Sequence, residues 1–219
     1  MTYSIAAKCP RTGMFGAAVT TSSIAVGSRC AYARAGVGAV LTQHRTDPRL
    51  GPRGLKLLEQ GLPAQAVIDR LTEGVPGIGW RQLAVVDKDG NTASFHGNRI
   101  TSVHSAHAGA GCVAAGNIIR STEVTRAMVA AFEAEPQLHL AERLVRAMEA
   151  GYAAGGELKQ IKSVALLVVE RESFPLVDLR IDYHPQPLVQ LRWLWEIYEP
   201  QLRLYVERAL NPDAVSGPA

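Results

Sequence analysis

The chain has no apolar run approaching the ~18 residues that a membrane span needs, and its start lacks the charged and apolar regions of a secretory signal. A cytoplasmic protein with no membrane partner is therefore expected. Cysteine is scarce. Cys9, Cys30 and Cys112 are odd in number and widely spaced, which gives neither a disulfide framework nor metal-ligand spacing and suits a reducing compartment. Each is expected to act as a small buried apolar residue. Concentrated charge is missing too: net charge is +3 with the basic residues scattered, which argues against a nucleic-acid surface. The densest basic stretch, Arg45, Arg49, Arg53 and Lys56, reads as a loop leading into a solvated helix face.

Several catalytic signatures are also absent. There is no Gly-x-Ser-x-Gly elbow. Residues 109–116, GAGCVAAG, lack the third glycine and the immediate helix of a dinucleotide fingerprint. Two readings stay open for that segment, close strand packing or backbone N–H groups lining an oxyanion site. His104 and His107 are three apart but fall in a strand or loop, with no acid or cysteine at ligand spacing. No metal and no cofactor is expected. Asp178 and Asp182 share a strand face with Arg180 between them, the pattern of an ion-paired surface strand. Trp193, Trp195, Tyr198 and Tyr205 on C-terminal helices point to core packing or an oligomer interface.

What is present fits one domain, 1–219, with helices from about 187 and a frayed tail over 211–219. An apolar share of 47% is enough for a sizeable core. Strands are expected at 3–9 and 15–21 around the turn Pro10–Gly13, and at 35–42 after a Ser/Gly-rich loop. Two short helices follow at 50–60 and 63–71. Asp89-Gly90 marks a hairpin between 82–86 and 92–96. Residues 107–115 read as one strand. Helices at 123–133, with Ser121 at a capped start, and 138–153 precede a strand pair at 162–169 and 177–183. Pro200 should interrupt the last helical region. Strand groups alternating with helix pairs imply two sheets packed together and flanked by helices.

Thr2, at the head of the first strand, carries the main chemical signal. Removal of Met1 would give it a free α-amine beside its hydroxyl, and these two groups suffice for an N-terminal nucleophile that carries its own general base. Many chains begin Met-Thr without such a role.

Specific strings then converge. Met1–Ala6, Ala33–Ala39 followed by Thr42-Gln43, Pro52–Leu55, Arg81-Gln82, Gly116–Ile118, Val177–Arg180 and His184-Pro185 together resemble the DUF1028 family. The resemblance covers most of the chain. It implies the fold of the N-terminal-nucleophile (Ntn) hydrolases, an α+β four-layer αββα sandwich of two antiparallel sheets flanked by helices. It further implies that Thr2 is the nucleophile and that a strand beginning at Arg34 lies beside it. Arg34 would lower the amine's pKa or hold a substrate carboxylate, or else form an ordinary ion pair. Gln43 and Asn117 would donate to an oxyanion or satisfy loop backbone. His107 would bind substrate or sit as a core histidine. The expected partner is a small-molecule amide, peptide or cyclic amide, with copies assembled as a homo-oligomer. A non-catalytic ligand-binding or assembly protein is the alternative. Two departures from the family pattern motivate it: Ala115 stands where glutamine is usual, and Gly156–Ser163 loses most of a usual Gly-Asp-x-Arg-Gly-x-Gln-Ser string.

Overall fold

The computed structural model describes residues 1–214. The chain begins with β1 (Thr2–Lys8) and β2 (Phe15–Thr21), a hairpin closed by the Pro10–Gly13 turn. Glycine, alanine, serine and threonine make up most of both strands, and neither exposes a face to solvent. Next come β3 (Ala31–Arg34), β4 (Gly38–Gln43), α1 (Leu50–Glu59), α2 (Ala64–Thr72), β5 (Gln82–Val86) and β6 (Thr92–His96). The second half supplies β7 (His104–Gly109), β8 (Cys112–Asn117), α3 (Glu123–Ala134), α4 (Leu140–Ala153), β9 (Ser163–Val169), β10 (Val177–Ile181), α5 (Pro187–Tyr198) and α6 (Leu202–Leu210).

The strands form two antiparallel sheets. One has the order β10-β9-β2-β1-β8-β7 and the other β3-β4-β5-β6. β1 is central in the larger sheet, and strand alternation divides its side chains. Tyr3, Ile5 and Ala7 join a cluster with Met128 and Phe132 of α3 and Leu144 and Met148 of α4. Ala6 faces the smaller sheet, in a cluster of mostly small residues that includes Ala17, Ala39, Ala84 and Ala115. Side chains this small let the sheets approach closely. A third cluster packs Val40, Leu83 and Val85 of the smaller sheet against Leu55 and Leu58 of α1 and Val67 and Leu71 of α2.

Three local expectations are corrected. The strand expected at 35–42 begins only at Gly38, after a turn at Gly36 with φ of +70°, and an unexpected strand, Ala31–Arg34, precedes that turn and pairs with the later strand as a hairpin. The strand expected at 107–115 is the β7–β8 hairpin, reversed at Ala110-Gly111 where Gly111 has φ of +68°. The N-cap of α3 is Thr122 and has no side-chain cap, whereas His139 caps α4 by accepting from the Ala141 N–H. Pro200 does interrupt the C-terminal helices, in a 3-10 turn over Glu199–Gln201. Of the expected frayed tail, Pro212–Ala214 form a 3-10 turn, and 215–219 lie outside the described residues.

The three cysteines are buried and unpaired. Asp178 and Arg180 form the expected ion pair at 2.8 Å. The C-terminal aromatics divide. Trp195 is buried and donates its indole N–H to Glu142, while Trp193 and Tyr205 are exposed. Arg192 of α5 clamps Glu142 and Glu149 of α4 at 2.6 and 2.8 Å, fixing the C-terminal helix to the body. Among the described residues, no helix is long and apolar enough to cross a membrane.

Gly38 tests how closely β4 packs against its neighbour β5 and against α1. A Cβ there would lie 2.4 Å from the Val86 carbonyl oxygen and 2.8 Å from Leu58 Cδ1, at a φ of +152°. Gly38→Ala is expected to destabilise by about 2–4 kcal/mol in urea unfolding. Wild-type stability would show that β4 and β5 are not packed as described.

Candidate functional site

At the end of the sheets where β1 begins, five buried amide and hydroxyl side chains gather. Thr2 pairs across the ladder with Asn117 of β8. By alternation Thr2 and Ser4 face the smaller sheet, from which Gln43 (the end of β4) and Gln82 (the start of β5) reach back. Ser4 Oγ donates to Gln43 Oε1 at 2.7 Å, and Gln43 Nε2 donates to Gln82 Oε1 at 2.6 Å. Asn117 Nδ2 donates to the same Gln82 oxygen at 2.9 Å. Gln82 Nε2 in turn donates to the Gly116 carbonyl at 2.9 Å and meets His96 Nδ1 at 2.9 Å. Burial, with the neighbouring His104 charge, pushes His96 down to about 4, so its ring is neutral and Nδ1 accepts. Gln82 thereby uses both lone pairs and both hydrogens. Asn117 Oδ1, by contrast, is buried with no partner.

Above this floor lies a cavity of about 480 Å³ lined by Met1, Thr2, Thr21, Arg29, Cys30, His44, Arg45 and Arg81 among others. A second, of about 310 Å³, shares Met1, His44 and Arg45 and adds Trp80, Arg99 and Ile118. Met1 stands between them. Its carbonyl accepts from the Thr2 hydroxyl and, at 2.5 Å, from Thr21 Oγ1. Burial lowers the pKa of its amine, and Glu157 works against that shift.

Glu157 is 4% exposed. Its Oε2 accepts from the Ser22 N–H at 3.1 Å, while Oε1 has no partner. Burial pushes its carboxyl up to about 7, against the pull of the N-terminal charge. It follows Gly155 and Gly156, with φ of +113° and +55°, which turn the chain off α4 toward Met1.

The cavity walls are strained. The positive-φ residues other than glycine, among those described, are Ala25, His44, Arg45 and Ile118. The last three line the two cavities, and a β-branched residue at φ +53° is a marked outlier. His44 Nδ1 lies 2.7 Å from the Trp80 carbonyl oxygen and its ring stacks on the indole, while the Arg45 guanidinium sits 3.7 Å over that indole. Burial lowers the His44 pKa.

The structure brings Thr2, Gln43 and Asn117 together and places two expected site residues elsewhere. Arg34 ends β3 instead of beginning the third strand. It holds Glu59 at 2.8 Å and lines a separate cavity with Leu167 and Val169. The same strand points its other end, at Cys30, toward Thr2, so the misplacement follows from the unrecognised turn at Gly36. His107 lies on the wrong face of β7. Ser105 bonds Thr125 of α3 at 2.8 Å, and His107, two residues on, shares that face, whereas Ala106 packs against the smaller sheet. His104 is the β7 histidine on the Thr2 side, its ring 5.1 Å from that of His96. Gly109 and Gly116 serve close packing, since a Cβ would stand 2.5 Å from Val129 at the first and 3.0 Å from Ile119 at the second, while Gly111 serves the turn.

Sequence reasoning missed Gln82, Glu157, His44 and the arginines of the cavity. Gln82 was detectable, as the one polar residue of an otherwise wholly apolar strand. Glu157 occupies the acidic position of the string that looked lost. Arg45, read as part of a solvated face, is exposed but stacked over Trp80 at the cavity.

Residues 2–191 match a family described as being of unknown function, DUF1028, and the chain belongs to it. A crystal structure of a Silicibacter pomeroyi protein of that family is similar, with a TM-score of 0.84 and 32% identity, covering 90% of this chain and 85% of that one. The search among curated proteins found no match.

Two predictions concern the site's construction. Gln82→Leu strips partners from Gln43, Asn117 and the Gly116 carbonyl at once, and should cost about 2–4 kcal/mol in urea unfolding. A cost below about 1 kcal/mol would mean the amide cluster rearranges freely. For Glu157, a folded pKa of about 7 against 4.5 means the folded state holds the proton more tightly. Its contribution is therefore most favourable below 4.5, declines as pH rises to about 7, and is flat above. Glu157→Gln should remove that slope, gaining on the order of 1–3 kcal/mol over wild type at pH 8 relative to pH 4.5. An equal difference at both pH values would show that the carboxyl is not raised.

Proposed function

We propose that this DUF1028 member is a cytoplasmic Ntn-type amidohydrolase, a four-layer αββα sandwich acting on an amide, peptide or cyclic amide bond of a small molecule. One observation carries the reading. Thr2 heads the central strand at a cavity, and its hydroxyl and that of Thr21 both engage a carbonyl, that of Met1. Once Met1 is removed, a substrate carbonyl takes the place of the Met1 carbonyl.

In this mechanism Thr2 Oγ1 attacks the carbonyl carbon while its proton passes to the freed Thr2 amine. Burial lowers the pKa of the Met1 amine, and the same surroundings favour a neutral amine one residue deeper. Asn117 Oδ1, buried beside Thr2 without a partner, accepts from that amine and aims its lone pair. Thr21 Oγ1 donates to the oxyanion. The amine then returns the proton to the leaving nitrogen, giving an acyl-enzyme that water hydrolyses. Gln43 is a positioning residue, acting through Gln82 on Asn117. Assembly of copies through exposed Val189, Trp193 and Ile197, spaced four apart on α5, fits the same reading. The second reading, a ligand-binding protein without catalysis, draws on Met1 filling the site.

Intact mass of protein made in bacterial cytoplasm should be short by one methionine. Thr2→Ala should reduce hydrolysis and labelling by an acylating probe at least ~1000-fold, with stability changed by less than about 1 kcal/mol. Quantitative retention of Met1, or labelling that survives the substitution, sinks the hydrolase reading and favours the second.

A further inference from the structure

Several arginines elsewhere in the fold hold carboxylates, Arg34 with Glu59, Arg180 with Asp178, Arg192 with Glu142 and Glu149, and Arg203 with Glu170, while Arg11, Arg53 and Arg143 donate to backbone carbonyls. The cavity arginines hold no carboxylate among the described residues. Arg29, Arg45 and Arg81 line the larger cavity and Arg45 and Arg99 the smaller, and neither lining contains an aspartate or glutamate. Arg29 donates only to the backbone carbonyls of Ile24 and Ala25. Arg45 and Arg99 stand over Trp80 at 3.7 and 5.7 Å. Asp47 feels the charge of Arg81, but its carboxylate is already held by Arg49 through two bonds of 2.8 and 2.9 Å.

Like charges gathered around one space repel, and that cost is retained only where something of opposite sign offsets it. The arrangement is also rigid. The backbone of Arg45 is fixed at φ +43° and its guanidinium is laid on an indole, itself tied to His44. A guanidinium stacked in this way keeps its N–H edge free for an oxyanion. Half-buried Arg81, with no carboxylate partner among the described residues, supplies a second fork at the same cavity as Thr2.

We infer that the ligand of this cavity carries an anionic group, a carboxylate or a phosphate, held by Arg45 and Arg81. The inference rests on the hydrolase reading for what is done to the ligand, but not for whether it binds. In the hydrolase the anion anchors one end of the substrate and leaves its amide carbon at Thr2. The substrate class is thus an anionic amide, such as an N-acyl amino acid or a phosphate-bearing amide, and not a neutral one.

Calorimetry on the Thr2→Ala protein separates this from the nucleophile question, because binding is read without turnover. At fixed ionic strength, glutarate or inorganic phosphate should bind at least about tenfold tighter than uncharged glutaramide. Binding by glutarate alone assigns a carboxylate, and binding by phosphate alone a phosphate. Arg45→Gln and Arg81→Gln should each weaken the anion about tenfold, while Arg34→Gln leaves it unchanged. If Arg81→Gln does not fold, exposed Arg45 carries the test. Equal affinity for glutaramide, equal loss with Arg34→Gln, or no anion binding up to about 10 mM overturns the inference. Anion binding with no acylation at Thr2 leaves it standing and removes the hydrolase reading instead.

Discussion

The hydrogen bonds converging on Gln82 hold the two sheets in register at the end where β1 begins. A primary amide buried without partners costs roughly 1–3 kcal/mol per unsatisfied group, so three glutamine and asparagine side chains in a dry interface are tolerable only as a connected set. Gln82 connects the set by accepting twice and donating twice, leaving Asn117 Oδ1 as its one amide oxygen without a partner. Around it the interface is made of alanine and valine, which have no means of fixing register by shape. Directional bonds do what those small side chains cannot. They set β4 and β5 against β1 and β8, over the strand ends where the β1–β8 ladder already pairs Thr2 with Asn117 and Thr21 of β2 bonds the carbonyl just ahead of Thr2.

A large part of the fold was legible in the sequence because its elements depend on local patterning. The β5–β6 hairpin, the four principal helices and the interruption at Pro200 follow from turn residues and apolar periodicity. The two turns that were missed, at Gly36 and Ala110-Gly111, lie in segments so rich in glycine and alanine that alternation carries no contrast. Without contrast a turn is not distinguishable from a continuing strand. That loss propagated to the site. Arg34 was placed at the wrong end of its strand, and His107 on the face opposite Thr2, because in a period of two the choice of face turns on register.

The expected residues that the fold brings together, Thr2, Gln43 and Asn117, were reached through resemblance and position and not through any chemical spacing. Glu157 shows the limit from the other direction. In sequence it is one acid in a polar stretch. Only the turn at Gly155-Gly156 brings it into burial near the N-terminus, and burial there raises its carboxyl to about 7. The cavity arginines come from four different segments, so scattered basic residues in sequence became a concentrated field in space. A net charge of +3 says nothing about that concentration.

Unfavourable local features gather at one place. His44, Arg45 and Ile118 hold left-handed backbone around the cavities. Asn117 Oδ1 and Glu157 Oε1 are buried without partners, and the arginines share a lining free of carboxylates. Each feature opposes folding, and the well-packed remainder of the molecule supplies the stability that tolerates them. A surface made only to be filled by Met1 would have no reason to keep them. Methionine is apolar and adaptable, and it satisfies neither an orphaned amide oxygen nor a set of guanidinium groups. The mismatch between an apolar methionine side chain and the arginines around it supports the proposal that an anionic group binds at this cavity.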